Sequence, residues 1–152
     1  MPCTPHTPFH QRRAYLGWAL ASSAASLASP AVRAEVVNVS SAELLARQLK
    51  PEGIALDFAP LADTGASVPL TAKLVAPAGL LITAIEVFVP ENPNTRALKL
   101  NLAQPMSSFA FSTRLRLAGS QDVWVVATLS DGSQRGLSAP TVITSSACFD
   151  GS

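Results

Sequence analysis

From Ile54 onward, apolar residues return at every second position, and turn residues interrupt them at short intervals. Ile54, Leu56 and Phe58 alternate with small or polar neighbours, then Val68, Leu70 and Leu74, then Leu98, Leu100 and Leu102. Phe109, Phe111, Leu115 and Leu117 continue the pattern, with Ser112, Arg114 and Arg116 on the opposite face. A period of two is the side-chain period of a strand with one face buried. The turn signals are Thr64-Gly65, Pro77-Ala78-Gly79, Pro90 to Asn94, Ala118-Gly119 and Asp131-Gly132. The last of these reads as a two-residue hairpin. About seven short strands punctuated in this way predict an all-β chain, an immunoglobulin-like β-sandwich. No internal repeat and no second domain are visible.

Two stretches break the alternation. "LLITAIEVFV" is apolar on both faces and "VWVVATL" nearly so, which suits central strands covered on two sides. Ahead of the strands, Ser40 and Glu43 form a capping box before Leu44, Leu45 and Leu49, which predicts a short N-terminal helix ended by Pro51 and Gly53. The sandwich has no pair of core cysteines, so apolar packing must join its sheets.

The N-terminal residues have a different character. "HQRRAYLGWALASSAASLASPAVRAE" has a basic start, a weakly apolar stretch too short to span a bilayer, and small residues at Val32-Arg33-Ala34. Residues 1–34 therefore read as a signal peptide cleaved after Ala34. Arg12 and Arg13, followed by Ala14, Tyr15 and Leu16, give it the look of a twin-arginine export signal. A bacterial periplasm and an oxidising compartment follow as the expected location.

Cleavage of 34 of the 152 residues leaves 118, enough for one domain with a single core. Three of the eleven basic residues leave with the signal and all ten acidic ones stay, so the net charge becomes −2. That balance gives no basic patch for nucleic acid and no electrostatic case for a membrane surface. Cys3, His6, His10 and Tyr15 also leave, so the mature chain has no histidine, no tyrosine and one cysteine, Cys148. Serine and cysteine hydrolases need an imidazole to take the nucleophile's proton, and none remains. Zinc and copper sites draw on histidine and clustered thiolates. Asp57, Asp63, Glu86, Glu91, Asp122 and Asp131 have no metal-ligand spacing. The expectation is a chain without metal, cofactor or catalytic residues of its own.

One thiol then stands out. Cys148 lies in the tail "SSACFDGS", residues 145–152, beyond the last strand. Its residues read alone leave two roles open, a functional thiol or an incidental tail cysteine used for an interchain disulfide.

The runs "GIALDFAPLADTGASVPL", "IEVFVPENPN" and "STRLRLAGSQDVWVVATLSDGS" resemble the SoxY family, over roughly residues 40–144. SoxY is the sulfur-carrying subunit of the periplasmic thiosulfate-oxidising (Sox) system. The resemblance implies a sandwich over residues 35–144 and a flexible carrier arm over 145–152, with sulfur intermediates attached covalently to Cys148. It implies a heterodimer with a SoxZ-type subunit that covers one sheet, which would account for the surplus apolar surface of "LLITAIEVFV" and "VWVVATL". It also implies three enzyme partners: a haem-containing cytochrome that couples thiosulfate to the thiol, a hydrolase that releases sulfate, and a sulfane dehydrogenase. The chain itself is then a carrier and not an enzyme.

The tail departs from the family pattern GGCGG. Ser145, Ser146 and Ala147 stand where glycines are expected, and Phe149, Asp150, Gly151 and Ser152 replace the closing pair. The small residues still suit a thin arm, whereas Phe149 sets a ring beside the thiol, and Asp150 disfavours the thiolate by its charge. Two other roles remain as alternatives: a non-covalent interaction module with the thiol irrelevant, or a redox or metal-delivery protein using Cys148 with a partner's ligands.

Overall fold

The computed structural model describes residues 36–145. The signal-like segment with Arg12 and Arg13, and the tail residues Ser146 to Ser152 with Cys148, lie outside the described residues.

Among the described residues one short helix and eight strands form an immunoglobulin-like sandwich of two sheets. The three-stranded sheet has the order β1 (Ile54–Phe58), β3 (Val68–Val75), β6 (Ser108–Leu115), all antiparallel. In the five-stranded sheet the order is β2 (Leu61–Thr64), β8 (Gln134–Ser145), β7 (Gln121–Leu129), β4 (Ile82–Phe88), β5 (Arg96–Met106). Val68, Leu70 and Leu74, read from the alternation, meet between the sheets together with Ala72 of β3, and they pack with Ile85, Val87, Val123 and Val125 from the two strands, β4 and β7, whose stretches break it. Each of these side chains is buried, so the period of two sets the core directly.

β1 and β2 are one run of chain that changes sheets at Ala59-Pro60. Proline has no N–H to give to a ladder, which suits a point where pairing stops. β8 fixes the crossing: the Thr141 hydroxyl donates to the Ala59 carbonyl at 2.8 Å, and the Val142 N–H donates to the Pro60 carbonyl at 2.9 Å. β2 then runs parallel to β8, with Leu61 beside Val142 and Thr64 beside Ser145.

The helix α1 (Ser41–Ala46) starts as read: the N–H of Glu43 donates to the Ser40 hydroxyl at 3.2 Å. It ends before Pro51, because Gln48 takes a left-handed conformation, φ 48°, just past the cap residue Arg47. Six residues are too few to hold a helix by propensity alone. Packing holds it instead. Fully buried Leu44 sits with Val39, Phe88, Trp124 and Val126 on the outer face of the five-stranded sheet. Leu49, past the helix, lies over Gly136, where a Cβ would come within 2.5 Å of its Cδ1. Thr95 pins the preceding segment: its hydroxyl accepts from the Val39 N–H at 2.7 Å and donates to the Val37 carbonyl at 2.5 Å.

This corrects one inference from sequence. The second apolar faces of "LLITAIEVFV" and "VWVVATL" need no partner subunit, since Phe88 is 2 % exposed and Trp124 7 % under the chain's own helix.

The Asp131-Gly132 hairpin is present with a three-residue loop in place of two residues. The Gly132 N–H donates to Leu129 and the Leu129 N–H to Ser133, with Gly132 at φ 82°. A two-residue loop of that type would need Asp131 at positive φ, which it does not adopt. The carboxylate of Asp131 accepts from the Ser133 hydroxyl and N–H, and these bonds hold its pKa below the ordinary 3.8.

Candidate functional site

β8 ends at Ser145, and the described residues around its C-terminal end form the base of the candidate site. Ser145, read from sequence as the first residue of the arm, is the last residue of β8 and lies beside Thr64. Strand structure therefore extends to three residues before Cys148. The Ile143 N–H, past the start of β7, donates to the Ser120 hydroxyl at 2.9 Å. The Thr144 hydroxyl donates to the carbonyls of Ala62 and Asp63 at 3.5 and 3.3 Å. Inward, Ile143 and Ala62 pack against the sandwich core. The base of the arm is thus fastened from two sides, by β2 and by the loop before β7.

That loop is held by a second polar unit. The Asn92 side-chain carbonyl accepts from the Ala118 N–H at 2.8 Å and from the Gln121 amide at 3.0 Å. Its NH₂ donates to the Arg116 carbonyl at 2.6 Å. Gln121, almost fully buried, accepts from the Glu91 N–H at 3.1 Å through its own carbonyl oxygen. One amide pair therefore locks the "PENPN" turn onto the "LAGSQ" turn, and the buried amide of Gln121 is satisfied in doing so. Next to it, the Leu117 N–H donates to the Gly65 carbonyl at 2.8 Å, and a Cβ on Gly65 would come within 2.2 Å of the Leu117 carbonyl oxygen. Only glycine permits that approach.

Sequence reading missed Asn92, Ser120 and Gln121 as a unit, although they sit in the very runs that carry the family resemblance. The signal was present as two polar turns; their partnership was not, because Asn92 and Gln121 are 29 residues apart.

The site offers little chemistry of its own. It presents hydroxyls, amides and backbone groups, and the described residues contain no histidine and no cysteine. No three histidine, cysteine, aspartate or glutamate side chains converge among the described residues. No described helix is long and apolar enough to cross a membrane. Cys148, Ser146, Ala147, Phe149, Asp150 and Gly151, the remaining residues assigned to the arm, lie outside the described residues.

Comparison with known proteins matches the chain to the model of the sulfur oxidation protein SoxY over residues 42–148. Among solved structures, it is similar to the sulfur carrier protein SoxY from Chlorobium limicola f. thiosulfatophilum, at 23 % identity and a TM-score of 0.55, covering 63 % of this chain and 83 % of that one. A superoxide reductase (neelaredoxin) from Ignicoccus hospitalis matches at 10 % identity and a TM-score of 0.47, covering 68 % and 89 %. No match was found among the curated proteins. The family match spans more than half of the chain and takes in the whole sandwich: the chain belongs to the SoxY family of sulfur oxidation proteins.

Proposed function

We propose that this chain is a periplasmic carrier that holds sulfur intermediates covalently on Cys148 and presents them to separate enzymes. The observation that carries this reading is the extent of the family match, which runs through the end of β8 and stops at residue 148, the one thiol of the exported chain. A carrier needs a fixed base and a reachable nucleophile, and no acid or base of its own. From Ser145 the extended chain reaches Cys148 in about 10 Å, at about 3.3 Å per residue.

In the proposed cycle, the Cys148 sulfur and the sulfane sulfur of thiosulfate join in an S–S bond. The thiol proton is released, and two electrons pass to a haem-containing cytochrome partner. Hydrolysis by a second partner releases sulfate and leaves a persulfide, and a sulfane dehydrogenase oxidises the remaining sulfur. A SoxZ-type subunit is the proposed heterodimer partner. Export by the twin-arginine route depends on Arg12 and Arg13, so lysine at both positions should leave the precursor in the cytoplasm.

The deciding experiment is mass spectrometry of the periplasmic protein purified without reductant from cells given thiosulfate. Adducts heavier by sulfur atoms or by a thiosulfonate group should appear on Cys148, disappear on reduction, and be absent from Cys148→Ser. Finding only glutathione or simple dimers on Cys148 would overturn the carrier reading.

A further inference from the structure

The arm leaves the sandwich beside an apolar patch. Leu61 and Val142 are register partners on the parallel strands β2 and β8, and they are 60 % and 52 % exposed. Neighbouring strands lie about 4.8 Å apart, so the two side chains form one continuous surface. They point away from the core, because the residues that follow them, Ala62 and Ile143, pack into it. The cover that α1 gives to Phe88, Trp124 and Val126 leaves this pair open. β2 has β8 as its one neighbour, so it forms an edge of the sheet.

The length of chain past β8 says what fits there. Seven residues follow Ser145, and Phe149 is the one large apolar side chain among them. Phe149 can stand at most about 13 Å from Ser145, and Val142 lies about 10 Å back along the strand, at about 3.3 Å per residue. A reversal over the first two residues past Ser145 brings Phe149 back level with Thr144, about 7 Å along the strand from Val142 at about 3.3 Å per residue, a gap that its ring reaches across to the patch. Ser146 and Ala147, which precede Cys148, are small enough to occupy that reversal.

We infer that Phe149 docks on the Leu61–Val142 surface and parks the arm against the edge of the five-stranded sheet. Docking holds Cys148 beside β2 and lowers its access to reagents until another protein draws the arm away. This gives the ring that departs from the glycine-rich pattern a role in the free protein. It concerns the arm's position and stands apart from what Cys148 carries, so it can hold even if the adduct experiment fails.

The test is the rate at which iodoacetamide alkylates Cys148 in the exported chain, native against urea-unfolded, at one pH. Trp124 emission confirms the fold of each variant. The native wild type should react slower than the unfolded chain by on the order of three- to tenfold, the share of time spent undocked. Leu61→Ser combined with Val142→Thr should abolish the slowing without touching the arm. Phe149→Gly should abolish it from the other side. A native-to-unfolded ratio that is the same in wild type and surface variant overturns the docking. Slowing that grows with protein concentration overturns it too, since a second copy would then be the occupant.

Discussion

The outer faces of the two sheets are built on opposite terms. On the five-stranded sheet, Phe88, Trp124 and Val126 turn outward and are buried by Leu44, Val39 and Leu49 from the chain's N-terminal residues. On the three-stranded sheet, the outward residues include Ala55, Asp57, Thr71, Lys73, Ala110 and Ser112, as the paired registers of β1, β3 and β6 place them, with Val75 left 59 % exposed at the end of β3. Nothing packs over these from the described residues, and their cross-strand contact is a hydrogen bond between Thr71 and Ser112 at 2.9 Å. The difference teaches that apolar surplus in a strand is not by itself a sign of a partner. A short segment of the same chain can cover it, and a six-residue helix persists for that reason.

The largest break in this contrast should come from Phe88→Ala. Removing a buried ring from beneath α1 should cost about 3–5 kcal/mol, read as a lower urea midpoint. Thr71→Ala on the bare face should stay within about 0.5 kcal/mol. Equal effects at the two sites would mean that the helix does not cover the sheet in solution. Trp124 is the one tryptophan after residue 34, and in a protein beginning at Glu35 its emission follows both experiments directly.

A finer cut is possible at Gly136. An added Cβ must push against Leu49, so Gly136→Ala should destabilise by about 1–2 kcal/mol. In a Leu49→Ala background most of that cost should vanish, as a double-mutant cycle on unfolding free energies will register. Additivity would show that Leu49 does not sit on the strand.

The smallest effect concerns how the helix stops. Gln48 holds a left-handed conformation that a side chain resists, so Gln48→Gly should stabilise the protein by about 0.5 kcal/mol. A loss of stability there would indicate that the Gln48 side chain, and not the backbone, closes the helix.

Much of this architecture was legible because its causes are local. The alternation from Ile54 fixed which side chains enter the core, since a strand's two faces are separated by one residue. Ser40 and Glu43 announced the start of α1 for an equally local reason, a hydroxyl three residues before an N–H. β2 was not legible: "LADT" has little apolar character, and its pairing is with a strand some 80 residues later. The base of the candidate site was hidden in the same way. Asn92 and Gln121 are ordinary turn residues until the fold sets their amides 3.0 Å apart.

Sequence alone determined the sandwich and the family, because periodicity, composition and motif are properties of neighbouring residues. Only the tertiary structure decided that α1 covers Phe88 and Trp124, that Ser145 belongs to a strand, and that Leu61 and Val142 remain exposed side by side on β2 and β8. Each of these depends on which distant segment arrives at a given face, and burial by a distant segment leaves no mark on the local pattern.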